Sequence, residues 1–127
     1  MIDLFAAIMT RYAAVPLATS LTGGLWNTQA PQETAFPYGV FQLISDVPDW
    51  TFSENFEDIL LQFNLFSDTS DPVQICALYE LLKTAFDFLE LTIANYQTVS
   101  MIRESAILTR DGYWQYNVTY RIVLQKD

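Results

Sequence analysis

Acid and base chemistry, if this chain performs any, has to rest on carboxylates, because its 127 residues include no histidine and a single cysteine, Cys76. That absence removes Ser-His-Asp and Cys-His nucleophile arrangements. It also removes a thiolate zinc site and any intramolecular disulfide. Two carboxylate pairs remain, Asp68 with Asp71 and Glu57 with Asp58. Asp71 precedes Pro72 and an apolar helical pattern, which gives it a capping task. Glu57 and Asp58 are neighbours in a strand pattern and so point to opposite faces. Neither pair is assigned a reaction, and no catalytic residue, cofactor or metal is expected. Asp68-Thr69-Ser70-Asp71 lacks the ligand number and closing glutamate of an EF-hand loop, and Gly23-Gly24 has no preceding strand or following Lys-Ser/Thr pair to make a phosphate loop.

Binding chemistry has a better candidate. Between Val47 and Asn55 the large aromatics Trp50 and Phe52 sit among turn-forming and polar residues. Buried aromatics anchor protein interfaces more often than other residue types do. Trp50, Phe52, Asp49 and Phe56 are therefore the candidate residues for contact with another subunit or protein. The competing reading folds Trp50 and Phe52 back onto their own sheet.

The elements that must position these residues can be read from periodicity. Phe5, Ile8, Met9 and Tyr12 fall at helical spacing, which predicts a helix over 2–14 ending near Pro16. Residues 12–32 carry no charge, but Pro16, Gly23, Gly24 and Asn27 break them into a loop, with one helical turn at 17–21. No membrane span is expected there, since a spanning helix needs about 20 mostly apolar residues. The segment 38–46 is rich in β formers, and a long connection over 47–55 leads to a second strand in which Ile59, Leu61, Phe63 and Leu65 alternate with more polar residues. Asp71, Pro72 and Gln74 start a helix whose stripe is Ile75, Leu78, Tyr79, Leu82 and Phe86, with Cys76 flanking it as a core residue. A less regular strand over 95–108, a turn at Asp111-Gly112 and an alternating strand from Tyr113 to Gln125 complete the chain. The pattern predicts one α+β domain over 1–127, with an antiparallel or mixed sheet of about four main strands against two helices, in the order α-β-β-α-β-β.

Composition agrees. At 51% hydrophobic and 15% aromatic residues the chain can bury a core without staples. The formal net charge of -9 opposes a grip on phosphate backbones. One cysteine and a start that lacks a basic segment favour assembly in a reducing cytoplasm.

Over most of its length, and most strongly from Phe36 onward, the chain resembles the tail-completion, or tail-terminator, proteins of long-tailed bacteriophages. The resemblance rests on Phe36-Pro37-Tyr38-Gly39-Val40-Phe41 entering the first long strand, on Phe56 to Phe66 after a polar loop, and on Ser100 to Ser105, Arg110 to Trp114 and Val118 to Ile122 after a helix. It implies a structural virion subunit, not an enzyme, that forms a sixfold ring capping the tail tube and joining it to the head. The implied partners are other copies of the chain, tail-tube protein and head-tail connector proteins, with DNA only passing through the lumen. An acidic lumen would then keep DNA from sticking. Two other functions fit the element order, a different neck or connector subunit and an α+β dimer that binds a small molecule between sheet and helices.

Overall fold

The computed structural model describes residues 2–50 and 55–126, and side-chain surroundings within them except at 49, 50, 92 and 98–100. Its elements in chain order are α1 Ile2–Ala13, α2 Leu17–Ser20, β1 Leu25–Asn27, β2 Tyr38–Trp50, β3 Asn55–Ser67, α3 Val73–Phe86, β4 Thr92–Ile93, β5 Tyr96–Asp111 and β6 Tyr113–Lys126. The α+β class expected from the sequence is what the chain adopts. The sheet is mixed, in the order β1-β2-β3-β6-β5-β4. Its centre is antiparallel, and β1 pairs parallel with β2.

Period-two alternation decides which face of the sheet is covered. On β3 the inward row Ile59, Leu61, Phe63, Leu65 and Ser67 is fully buried. Register sets these beside Ile122, Tyr120, Val118 and Tyr116 of β6. The three helices lie on this face. Phe63 is its centre, with ring centroids 6.1 Å from Phe41, 4.9 Å from Phe86 and 5.7 Å from Tyr120.

Helix α3 presents Ile75, Leu78, Leu82 and Phe86 to the sheet as its spacing predicts, with Tyr79 half-buried and stacked on Tyr116 at 4.2 Å. Cys76 departs from expectation and is exposed. One residue past Ile75 is about 100° round the helix, enough to leave the apolar stripe. At the start of α3, Pro72 rather than Asp71 stands at the N-cap position, and Asp71, one residue before it, still satisfies a helix donor by accepting the Val73 N–H on Oδ1 at 3.1 Å. Gln74 does not close a capping box. Its Oε1 instead accepts the buried Ser67 hydroxyl at 2.5 Å and ties the helix start to the end of β3.

A polar lock holds the other end of α3. The Tyr120 hydroxyl donates to Asp87 Oδ1 at 2.5 Å, beyond the last turn of the helix. Arg103 Nη1 lies 3.3 Å from Asp87 Oδ2, an attraction of charges without aligned hydrogen-bond geometry. Burial first, then the bond to Asp87, pushes the Tyr120 phenol far above the ordinary tyrosine range, so it stays a donor at any ordinary pH. Arg11 joins the two long helices by donating Nε–H to Ala85 O at 3.0 Å, a cation against the carbonyl end of α3.

Three further expectations need correction. The inward face of α1 is Leu4, Ala7, Ile8 and Tyr12, which leaves Met9 outside. The segment expected to be loop holds β1, whose three residues pair with Gly39, Val40 and Phe41. The connection expected over 47–55 is mostly strand, because β2 continues to Trp50 and pairs Pro48 with Glu57. Proline is tolerated there because β2 has no strand on its far side beyond Phe41.

Candidate assembly surface

The sheet leaves two kinds of unpartnered surface, and both follow from how little the short strands cover. β1 shields β2 only at 39–41, and β4 shields β5 only at 96–97. Phe88 N–H adds one bond to Met101 O at 2.9 Å. Among the described residues, 42–50 of β2 and 102–111 of β5 therefore form outer edges with no strand beside them. Both edges carry exposed apolar side chains, Ile44 and Val47 on β2 and Ile102 and Ile107 on β5, with Val47 57% and Ile107 58% exposed. Unpaired edge backbone flanked by exposed β-branched residues is what a strand of another chain would pair with. Sequence reading missed these four residues. Their signal was a β-branched residue on the face away from the core.

Edge strands are also shaped against uncontrolled pairing. A bulge at Ile44 breaks the β2 register between Leu43 and Ser45, and β5 shifts twice, between Thr98 and Ser100 and between Arg103 and Ser105. Such bulges twist a strand locally and restrict which partner fits.

The second surface is the sheet face turned away from the helices. Its rows are mostly uncharged amides and hydroxyls. Gln42 donates to Gln62 at 3.2 Å, Gln115 donates to Asn117 at 2.7 Å, and Thr119 lies next in the row. Asp58 stands here with Arg121, whose Nε donates to Asp58 Oδ1 at 2.8 Å. The carboxylate holds the Arg121 guanidinium above its ordinary range.

Of the four residues singled out in the sequence, register brings three to the shared tip of β2 and β3. Asp49 pairs with Phe56, and Trp50 with Asn55. Phe56 is half-buried on the open face. Phe52 lies outside the described residues. Glu57 and Asp58 point to opposite faces as expected, so they form no catalytic pair.

Glu57 faces the helix side near the same tip, with Oε2 buried and unbonded. Burial first, then Asp46, raises its carboxyl above the ordinary range, against an opposing pull from Lys126. A carboxyl raised in the folded state binds protons more tightly there than in the unfolded chain, so its contribution to stability is full in acid and is lost as pH rises through the native value. Glu57→Gln is accordingly expected to raise the melting temperature at neutral pH, with the difference shrinking on acidification. Thermal melts of both proteins across pH check this, and a gain independent of pH would contradict it.

Comparison with known proteins gives these surfaces a family. Residues 6–125 match the model of the tail completion protein gp17 family. The chain belongs to that family. The resemblance read over most of the chain, and most strongly from Phe36 onward, is thus shown, and the match begins within α1. A chain from the virion of a native gene transfer agent particle has the same fold, with a TM-score of 0.82 at 14% identity over 97% of this chain and 95% of that one. No curated protein sequence matches this chain.

Proposed function

We propose that this chain is a structural, non-catalytic virion subunit whose copies close into a ring, sixfold by family resemblance, that caps the tail tube and joins it to the head. The observation that carries this reading is the pair of uncovered edges on opposite sides of one sheet. The edges are different surfaces, so joining the β2 edge of one copy to the β5 edge of the next is a heterologous contact. Contacts of that kind close into rings when the rotation allows. The hairpin tip bearing Asp49, Trp50 and Phe56 then projects from the ring to meet a neighbour, tail-tube protein or connector.

The open face bears on passage of DNA. Its one close charge pair, Asp58 with Arg121, cancels, whereas Asp71 and Glu80 are exposed at α3 on the helix side. Glu104 lines the same hollow as Asp58 and Arg121, so a lumen lined by the open face is amide-rich with an acidic excess there, and the Arg121 cation it carries is already engaged by Asp58 rather than free to grip phosphate. Arg121→Glu is expected to leave packaging complete, while placing lysines at Gln62 and Thr119 is expected to slow DNA ejection. Unchanged ejection in the lysine variant would move the lumen to another surface.

Trp50→Ala combined with Phe52→Ala tests the tip. The double variant is expected to remain folded and to lose about tenfold or more in tail joining, as expected of two interface anchors. Complementation of tail-deficient lysates measures it. Full joining by the double variant would remove the tip from the interface and leave the edges.

A further inference from the structure

The open face is not bare along its whole length. At the corner where β2 begins and β3 ends, residues 28–34 fold over it and leave a groove of about 510 Å³. Tyr38, Val40, Asn64 and Phe66 form its floor, with Phe36 at one side and Glu33 on the loop. Two of the rings stack, Tyr38 on Phe66 at 4.7 Å, and Phe36 leans on Tyr38 at 5.3 Å. Ring packing alone would make this corner a satellite of the core.

Three observations are left over from that packing. Asn64 Oδ1 is shielded from solvent and accepts no hydrogen bond, although the neighbouring open-face amides Gln42, Gln62, Gln115 and Asn117 are paired. Glu33 is the groove's single charged residue, and no cation lines it. Thr28 and Glu33, both of the covering loop, hold positive φ values of 69° and 63°, which side chains other than glycine rarely adopt. The loop is nevertheless held. Thr28 N–H donates to Phe41 O at 2.7 Å, the Thr34 hydroxyl donates to Pro31 O at 2.5 Å, and the chain on either side is tied together where Gly23 N–H donates to Pro37 O at 2.9 Å.

We infer that this groove receives a cationic side chain, a guanidinium by preference, from a partner protein. A planar guanidinium stacks on aromatic faces, and it has donors for the Asn64 carbonyl and the Glu33 carboxylate together. An ammonium offers a compact charge without that stacking. An anion could take hydrogen bonds from the groove's amides and hydroxyls but would meet the Glu33 carboxylate with no cation to offset it, and it would leave the Asn64 carbonyl without a donor. The inference goes beyond the ring reading and stands whether or not copies close into a ring, since ring formation is read by mass and binding in the groove by titration.

The test is an NMR titration of the full chain with N-acetyl-arginine methylamide against its uncharged isostere, N-acetyl-citrulline methylamide. Salt near 0.15 M screens the diffuse attraction of an acidic protein beyond about 8 Å. The expected result is saturable shifts confined to residues 28–40 and 64–66, with the arginine probe bound about tenfold more tightly than citrulline, as suits a charge-assisted bond to a shielded acceptor. Glu33→Gln is expected to weaken the arginine probe about threefold without changing the citrulline probe. Asn64→Leu is expected to weaken both. Equal binding of the two probes, shifts that spread over the surface without saturating, or an unaltered preference in Glu33→Gln would each overturn the inference.

Discussion

Phe63→Ala is expected to cost about 3–5 kcal/mol of folding stability, a large part of the roughly 5–15 kcal/mol that holds a domain together. Phe63 is fully buried where β3 crosses beneath α3, and its ring meets Phe41, Phe86 and Tyr120. Those three rings belong to β2, α3 and β6, so removal opens a cavity that no single element can collapse to fill. Melting should fall by roughly 10–20 °C, and the denaturant midpoint should drop at unchanged slope. Phe63→Leu, which keeps most of the volume, should cost less than about 1.5 kcal/mol. A loss below about 1 kcal/mol for the alanine variant would mean that the centre of the core lies elsewhere. The Arg121 and Asp58 pair gives the contrast, because it is partly exposed and its removal should barely move the melt.

Hydrogen exchange along the outer edges carries the second large expectation. In the isolated subunit, backbone amides of residues 42–50 and 102–111 that point outward have no strand to bond and should exchange rapidly. Edge pairing in an assembly would give each a carbonyl partner and slow it by about a hundredfold or more, the range set by strand opening within a stable unit. Amides between β3 and β6 are bonded already and should change little. Comparison of the free subunit with the assembled form reads both sets in one experiment. Edge amides that stay fast in the assembly would show that copies meet through faces or through the hairpin tip.

Much of this architecture is visible as periodicity. The row Trp114, Tyr116, Val118, Tyr120, Ile122 and Leu124 alternates without a break, and the residues from Val118 onward are buried in the structure. Asp111-Gly112 marks the tight turn, and Gly112 takes a φ of +74° there. The failures have physical causes. Pro48 reads as a loop residue, yet an edge strand does not need the N–H that proline lacks. β1 is three residues long and is held by pairing with β2, a contact that local propensity cannot show. Cys76 and Met9 sit at the margins of apolar stripes, where a rotation of one helical position decides burial.

The candidate surfaces were legible in part for similar reasons. Trp50 and Asp49 drew attention by their type, and register does set Asp49 opposite Phe56 at the hairpin tip. Ile44, Val47, Ile102 and Ile107 look like ordinary strand residues in the sequence. Only the sheet order reveals that nothing covers them, because an edge is a property of neighbours rather than of composition.

The most direct test of the central claim is the solution mass over a concentration series, with negative-stain images of the same samples. The ring reading predicts a concentration-dependent species near six times the 14.6 kDa subunit, seen as rings with a central hole. A closed twofold dimer at every concentration, with its sheet edges buried against each other, would contradict it.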